Sequence, residues 1–192
     1  ELGKKVGLTE QAIGYKIKHL QKNGIIKAFV TFINTLSIGY HHYKVFLKLH
    51  NTTEDIENNL IISLTNNPNI RWVGSTSGKY DISFSILAKN PLEFSEIYAS
   101  IEAGYGKYII EKNILLNVSS PGFTRDFLIN NKESKKREYA STKETIKLDE
   151  TDKKILKVIS QDARKNIVTI AKETKTTIDI VKYRMKKLKE KN

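Results

Sequence analysis

Two stretches of this chain, one near each end, match each other and predict a repeated structural unit. Residues 2–20 read LGKKVGLTEQAIGYKIKHL, and residues 170–188 read IAKETKTTIDIVKYRMKKL. At a constant shift between the two, apolar residues coincide with apolar residues and basic residues with basic ones. Ile17 falls on Met185, for example, and Lys18 falls on Lys186. Self-similarity of this kind indicates that one supersecondary unit is used twice.

Each copy predicts a short helix, a polar turn and a longer helix. Thr9 is placed to cap a helix that runs from residue 10 to about residue 22, and Thr177 has the same position in the second copy. Together these parts predict a helix-turn-helix. The buried stripe predicted for the longer helices, with spacings of three and four, is Ile13, Ile17 and Leu20 in the first copy and Ile178, Val181, Met185 and Leu188 in the second.

The opposite face of each longer helix is polar and basic, which suits the major groove of DNA, where base edges are read and Lys and Arg meet phosphates. The plain alternative is a helical hairpin with a solvated basic face. The candidate DNA-binding residues in the first copy are Thr9, Gln11, Tyr15, Lys16, Lys18, His19 and Lys22. Those in the second copy are Thr177, Asp179, Lys182, Tyr183, Arg184, Lys186 and Lys187. We expect the lysines to set affinity and Gln11 and Tyr15 to affect sequence choice.

The charge of the chain is concentrated at these two copies. Of the 192 residues, 33 are Lys or Arg and 21 are Asp or Glu, for a net charge of +12. Residues 1–30 hold six Lys against two Glu, and residues 132–192 hold nineteen basic against ten acidic residues, whereas residues 31–131 are nearly balanced. Two basic ends around a neutral centre predict two electrostatic footprints for a polyanion.

Composition excludes several other classes. The hydrophobic fraction of 39% is enough to bury a core. The chain has no cysteine, so disulfides and thiolate metal sites are excluded. It has no apolar run long enough for a membrane span. We predict no cofactor and no metal site.

Flanking signals extend each unit. Asp149 is placed to cap a helix that directs Ile155, Leu156 and Ile159 to a core. Gly24 is expected to end the longer helix of the first copy, and residues 25–32 alternate partly like a strand, which predicts a wing.

The middle of the chain predicts the order β-α-β-β-α-β, which is the ferredoxin-like arrangement. A sheet of this kind has helices on one face only, so the other face needs a partner and a homodimer is expected. The predicted elements are a strand at 43–49, a helix at 54–65, strands at 71–73 and 82–86, a helix capped by Asn90, and a strand at 108–118.

The predicted organisation has four parts, and the fold class is α+β. A winged helix-turn-helix at 1–40, incomplete at its N-terminus, precedes a ferredoxin-like sensing and dimerisation domain at 41–118. A solvated linker follows at 119–147, with a short strand expected at 123–129. A second helix-turn-helix without its wing occupies 148–192.

This plan resembles the Lrp/AsnC (feast/famine) family of transcription regulators. The residues that carry the resemblance are Val6-Gly7-Leu8-Thr9 with the helix that follows, Gly24-Ile25-Ile26-Lys27, and Leu148-Asp149-x-x-Asp152. Gly78-Lys79-Tyr80-Asp81 resembles the Gly-x-x-Asp hairpin of the family's sensor domain. A second helix-turn-helix after the sensor is similar to tandem members of the kind found in archaea.

The resemblance implies sequence-specific binding to double-stranded DNA, assembly through the sensor domain into dimers or larger oligomers, and modulation by an amino acid or other small effector. It places the effector at Gly78, Lys79, Tyr80 and Asp81, where plain hairpin chemistry is the alternative. It also implies a cytoplasmic, nucleoid-associated protein.

Two other functions share this architecture. A bivalent, weakly specific DNA organiser would use the same two basic helices. Sirohaem decarboxylases resemble the same plan, but the His-Cys-Tyr-Arg-Arg-like stretch of those enzymes is replaced here by residues 69–74, and the adjacent His41 and His42 make a poor metal site. We therefore expect no enzymatic activity.

Overall fold

The computed structural model describes residues 2–123, 136–138 and 145–190. Contacts within the chain define two compact units. The first, called here the reader unit, comprises Glu1–Ile33 and Leu148–Asn192, and the second, the sheet unit, comprises Asn34–Lys147. The four-part division of the chain at residues 40, 118 and 147 stays a prediction.

The α+β class is confirmed, with helices in both units and a four-stranded sheet in the second. None of the helices in the described part of the chain is long and apolar enough to cross a bilayer. In chain order the elements are α1 (Leu2–Val6), α2 (Glu10–Lys22), β1 (His41–Leu49), α3 (Glu54–Asn66), β2 (Ile70–Ser75), β3 (Ile82–Ala88), α4 (Pro91–Tyr105), β4 (Ile109–Asn117), β5 (Pro121–Phe123), β6 (Lys136–Glu138), α5 (Glu150–Gln161), α6 (Ile167–Thr174) and α7 (Ile178–Glu190).

The internal repeat is confirmed at the level of single hydrogen bonds. The Leu8 amide donates to the Gly3 carbonyl at 3.0 Å, and the Thr176 amide donates to the Ala171 carbonyl at 2.9 Å. Each bond lies within one copy, between the same two positions of the repeat, and closes the turn before the longer helix. The α1–α2 and α6–α7 turns therefore have the same hydrogen bonding, although their sequences differ.

Both longer helices begin at the threonines that were predicted to cap them. The Ala12 amide donates to the Thr9 hydroxyl at 3.2 Å, and the Ile180 amide donates to the Thr177 hydroxyl at 3.3 Å. Each threonine satisfies one of the amides that a helix start leaves without an intrahelical partner. Because the capping threonine holds the first turn, it determines where α2 and α7 begin.

The two turns use a left-handed residue at the same position. Gly7 has φ +66°, and the matching Lys175 has φ +54°. A side chain in this region is disfavoured by contact between its Cβ and the backbone, whereas glycine adopts it freely. The second turn is therefore strained at Lys175 in a way that the first turn avoids.

We expect Lys175→Gly to raise the free energy of unfolding of the reader unit by about 1 kcal/mol, because it relieves this strain. Gly7→Ala should lower it by a similar amount, and since a Cβ at Gly7 would meet nothing within 4 Å, that loss reports backbone conformation alone. Urea unfolding followed by circular dichroism measures both changes. A loss of stability in Lys175→Gly would contradict the explanation.

The strand predicted for residues 25–32 was wrong. Gly24 ends α2 with φ +70°, as expected, after Asn23 as the C-cap. The amides of Ile25 and Ile26 then both donate to the Leu20 carbonyl, at 2.9 and 3.1 Å, which folds the chain back onto the helix end. The segment that follows pairs with no strand in the described residues, so no ladder forms.

The helices of the second copy enclose a small core, and the predicted directions of Ile155, Leu156 and Ile159 are confirmed. Ile178 is exposed instead of buried, because it is the first residue of α7 and lies at the end of the bundle. On α2 the predicted stripe is only half-buried, since the five residues of α1 cover only part of it. The buried core residues are Ile155, Ile159, Ile170, Ala171 and Val181.

The ferredoxin-like arrangement of the sheet unit is confirmed. The four strands are ordered β2-β3-β1-β4, and every neighbouring pair is antiparallel. α4 begins at Asn90, whose side chain accepts from the Glu93 amide at 2.9 Å, as predicted. The helices pack on one face, where the core is Tyr43, Val45, Leu47, Leu49, Leu60, Leu64, Ile82, Phe84, Ile86, Ala88, Tyr98 and Ile101.

The other face of this sheet, called here the open face, has no helix on it among the described residues. Strand registers align Trp72, Ser85, Lys44 and Leu115 in one row across the four strands. Trp72 lies close over Gly74, where a Cβ would come within 3.0 Å of the indole ring. A larger side chain at position 74 would therefore require the Trp72 ring to shift. Trp72 remains 51% exposed and Leu115 49% exposed.

The predicted linker is only partly described. β5 and β6 pair as a two-stranded antiparallel sheet, with Pro121 opposite Glu138. The strand expected at 123–129 overlaps β5 only at Phe123, and the rest of that range lies outside the described residues.

Candidate nucleic-acid interface

The outward face of α2 presents the side chains that the sequence predicted for DNA. Tyr15 is 72% exposed, and its ring stacks on that of His19 with centroids 6.4 Å apart. Thr9 is committed to the helix cap. The remaining predicted residues of this face are exposed, namely Gln11, Lys16, Lys18 and Lys22.

The outward face of α7 has a similar composition. Tyr183, which matches Tyr15, is 63% exposed. Asp179, Lys182 and Lys186 are exposed as well, whereas Lys187 is half-buried. Each of the two helices therefore carries a solvent-facing tyrosine with an exposed lysine one turn after it, which is a combination that can contact phosphates and base edges.

Arg184 differs from the other predicted DNA contacts because it has acidic partners within the reader unit. Its guanidinium forms ion pairs with Asp149 and, at 3.4 Å, with Asp152. Asp152 is buried, and together with Asp149 it forms the capping box that starts α5. The backbone amide of Asp152 and the Arg184 charge hold the pKa of Asp149 below its usual value. Arg184 thus ties α7 to the beginning of α5.

The spacing around Arg184 sets it apart from the outward basic face, although it does not identify the acidic partners. Arg184 lies three residues after the buried Val181 and four before Leu188, so it borders the apolar stripe and cannot point fully outward. The matching residue in the first copy, Lys16, is exposed. DNA contact by Arg184 stays a prediction.

The hairpin between β2 and β3 brings the predicted effector residues together. Gly78 has φ +109°, which allows the tight turn. The Asp81 carboxylate accepts from Lys48 Nζ at 2.8 Å and from the Leu49 amide at 2.7 Å, and these two bonds lower its pKa. Asp81 therefore ties the start of β3 to the end of β1, and effector binding at this hairpin stays a prediction.

The side chains of Lys79 and Tyr80, which lie between Gly78 and Asp81, are on the surface. Lys79 Nζ is 3.0 Å from Glu111 Oε1, and the Tyr80 hydroxyl donates to the same oxygen at 3.3 Å. Asn113 Nδ2 donates to the Tyr80 hydroxyl at 3.2 Å. Lys79, Tyr80, Glu111 and Asn113 thus form an exposed polar cluster beside the turn.

The adjacent histidines His41 and His42 lie in different environments. His41 is exposed, whereas His42 is buried between the Thr35 hydroxyl and the Arg71 guanidinium, which is 3.3 Å from its Nε2. Burial, reinforced by the charges of Arg71 and Lys44, lowers the pKa of His42 to about 4. His42 is therefore neutral at physiological pH.

We expect the contribution of His42 to the stability of the sheet unit to fall as the pH drops below about 6.5 and to level off below about 4. The folded state keeps His42 neutral in this window while the unfolded state binds a proton. Urea unfolding at several pH values measures the decline, and His42→Gln should flatten it. His41→Gln is the matched control, and an equal flattening there would contradict the assignment to His42.

Comparison with known proteins agrees with this architecture. Residues 148–189 match the AsnC-type helix-turn-helix domain. The HTH-type transcriptional regulator FL11 of Pyrococcus furiosus is 32% identical over 111 residues, which cover 56% of this chain and 72% of the relative. The chain therefore combines an AsnC-type helix-turn-helix with a ferredoxin-like sheet unit, and it belongs to the Lrp/AsnC family of transcriptional regulators. Each of its two helix-turn-helix units, α1–α2 and α5–α7, is called here a head.

Solved structures share the fold at lower identity. A transcriptional regulator from Neisseria meningitidis, in complex with L-Met, has a TM-score of 0.56 at 14% identity, covering 68% of this chain and 84% of its own. The siroheme decarboxylase NirDL has a TM-score of 0.62 at 14% identity, covering 99% of this chain and 55% of its own. At these identities the likeness concerns the fold alone.

Proposed function

We propose that this chain is a sequence-specific DNA-binding transcriptional regulator whose recognition helices are α2 and α7. The observation that carries the proposal is the match between the two outward faces. Tyr15 and Tyr183 occupy matching exposed positions, as do Lys18 and Lys186, on helices that begin with the same capped turn. A helix-turn-helix presents the first turns of its second helix to base edges and its lysines to phosphates.

The two helices would read different bases. Gln11 in α2 matches Asp179 in α7, and both are exposed in the first turn. A glutamine amide can pair with adenine, whereas a carboxylate accepts from the amino group of cytosine. The half-sites read by the two heads would therefore differ in sequence.

Selection from a random pool of duplex DNA at two salt concentrations, followed by sequencing, tests the proposal. Enrichment of a defined site supports a sequence-specific regulator. Binding that is sensitive to salt but enriches no site would favour the architectural DNA organiser. The absence of binding at both salt concentrations would overturn both.

The open face of the sheet unit is proposed as the surface of a homodimer. Trp72 and Leu115 are half exposed on this face, and Phe46 lies one row away. Apolar side chains clustered on a sheet face without a covering layer are typical of an interface. A second copy would cover them and would double the number of heads.

We expect Trp72→Glu to convert the dimer to a monomer, because each copy would bring an unpaired carboxylate into the apolar interface. Analytical ultracentrifugation measures the mass of each species. Ile62→Glu is the matched control, since Ile62 is similarly exposed on α3. Dissociation of both variants, or of neither, would argue against the open face.

Modulation by a free amino acid is proposed at the polar cluster beside Gly78. Lys79 and Glu111 offer one positive and one negative charge, which match the carboxylate and the ammonium of an amino acid. Adding each amino acid in turn to the selected duplex and protein identifies an effector, and Lys79→Ala should abolish its action.

The regulator is proposed to act in the cytoplasm, on nucleoid DNA, and to catalyse no reaction. The support for the last point is that the curated relatives bear the names of transcriptional regulators. Arg71, in the stretch that replaces the decarboxylase motif, is engaged with the buried His42.

A further inference from the structure

The segment that follows α2 packs against the helices of the second copy. The Phe29 carbonyl accepts from the Ala163 amide at 2.8 Å, and the Arg164 guanidinium lies 4.0 Å from the centroid of the Phe29 ring. Residues 29–33, called here the strap, alternate in exposure, with Phe29, Thr31 and Ile33 half-buried. The strap thus contacts the α5–α6 connection directly.

The strap also forms one wall of an apolar cleft in the reader unit. Thr31, Phe32 and Ile33 line it on one side. Helices α5, α6 and α7 line the other side with Leu156, Ile159, Ile170, Met185 and Leu188, and the α5–α6 connection adds Ala163. Lys165 and Lys189 complete the lining. Several of these side chains belong to the core of the second copy or pack against it. The contact therefore involves the same helices that hold α7 in place.

The segment between α2 and the strap is short and is hydrogen-bonded at both ends. The amides of Ile25 and Ile26 are bound to the Leu20 carbonyl at the end of α2, and Phe29 is bound to Ala163. Three residue steps separate Ile26 from Phe29, and a fully extended chain spans at most about 11 Å over that distance. The end of α2 is therefore held close to the α5–α7 bundle.

We propose that the strap joins the two heads of one chain into a single body that reads a bipartite duplex, with two half-sites at a fixed separation. The inference rests on the proposed function of α2 and α7. Once one head binds, the strap places the other at high effective concentration over the neighbouring half-site, and avidity follows only where the spacing fits.

The first test measures the joining of the heads without DNA. Because the chain has no cysteine, Gln21→Cys on α2 and Lys157→Cys on α5 would be its only thiols, and both positions are exposed. Spin labels at these sites, in protein diluted with unlabelled chain, should give one narrow distance distribution. A broad distance distribution in the labelled chain without strap substitutions would overturn the proposal that the strap joins the two heads.

Variants of the strap sharpen this measurement. Phe29→Ser with Ile33→Ser should broaden the distribution, whereas Val30→Ser should not, since Val30 is 69% exposed in the same segment. If circular dichroism shows that the double variant is unfolded, Phe29→Leu removes the ring contact with Arg164 and keeps an apolar side chain. An unchanged distribution in a folded strap variant would overturn the role of these contacts.

The second test uses the duplex enriched by selection, with five base pairs, about half a helical turn, inserted at its centre. We expect the unaltered chain to lose about 100-fold in affinity on this insertion, and the double strap variant to lose much less. Trp72→Glu in both proteins removes the contribution of a second chain, and one chain per duplex is then the expected stoichiometry.

The outcomes separate the two proposals. A narrow distance with no binding to any duplex would overturn the proposed function and leave the strap intact. A narrow distance distribution together with equal affinity for the duplexes with and without the insertion would overturn the bipartite site. A narrow distance with spacing-dependent binding, relaxed in the strap variant, supports the inference.

Discussion

Replacing Lys16 and Lys18 with Ala flattens the slope of log K against log salt by about 1.8, and replacing Lys182 and Lys186 does the same. Each lysine that meets a phosphate releases about 0.9 counterions when it binds B-form DNA. At about 0.1 M salt, a loss of two such contacts corresponds to roughly 10- to 100-fold in affinity. All four side chains are exposed on the outward faces of α2 and α7. Fluorescence anisotropy with one labelled duplex across a salt series measures the slope.

The control for this result removes the same charge elsewhere. Lys89→Ala with Lys107→Ala takes two exposed lysines from the sheet unit and should leave the slope unchanged. Equal flattening in the control would mean that net charge alone governs binding. A slope that stays unchanged in the variant lacking all four recognition-helix lysines would count against both helices as DNA readers.

The second large effect is expected on the free energy of unfolding, when a buried side chain in the core of either unit is truncated. Ile155 is fully buried in the reader unit, and Phe84 is fully buried in the sheet unit. Ile155→Ala should lower the free energy of unfolding of the reader unit by about 2–5 kcal/mol, and Phe84→Ala that of the sheet unit by about 3–5 kcal/mol. Both losses combine the lost transfer of apolar groups from water with the cavity that remains.

The single tryptophan makes the two losses distinguishable. Trp72 lies in the sheet unit, so its fluorescence during urea unfolding reports that unit, while circular dichroism follows the helices of both. Phe84→Ala should move the fluorescence midpoint, whereas Ile155→Ala should move only the dichroism signal and weaken DNA binding. A shift of the fluorescence midpoint by Ile155→Ala would mean that the two units unfold as one.

Local signals explain why much of the fold could be predicted. Thr9, Thr177, Asn90 and Asp149 all cap the helices that they were expected to cap. A capping side chain bonds to an amide three residues away, so the signal is contained in a few consecutive residues. The same holds for the alternation in β1, where Val45 and Leu47 are fully buried.

The predictions that failed concern residues whose contacts are made with partners far away in the sequence. The segment at 25–32 alternates like a strand, but a strand exists only where another strand supplies its hydrogen bonds, and here the Ala163 amide supplies one instead. Arg184 reads as a basic-face residue until Asp149 and Asp152, more than thirty positions earlier, are placed beside it. Neither partner is visible in a local pattern.

The amino-acid sequence alone was enough to predict the repeated helix-turn-helix, the order of strands and helices in the middle, and the basic character of α2 and α7, because helix caps, side-chain periodicity and charge are local properties. The folded chain was needed to show that Arg184 forms ion pairs with Asp149 and Asp152, that Asp81 accepts from Lys48 and Leu49, and that the strap lies on the second bundle. Those contacts join residues far apart in the chain, and their partners are selected by packing rather than by neighbouring sequence.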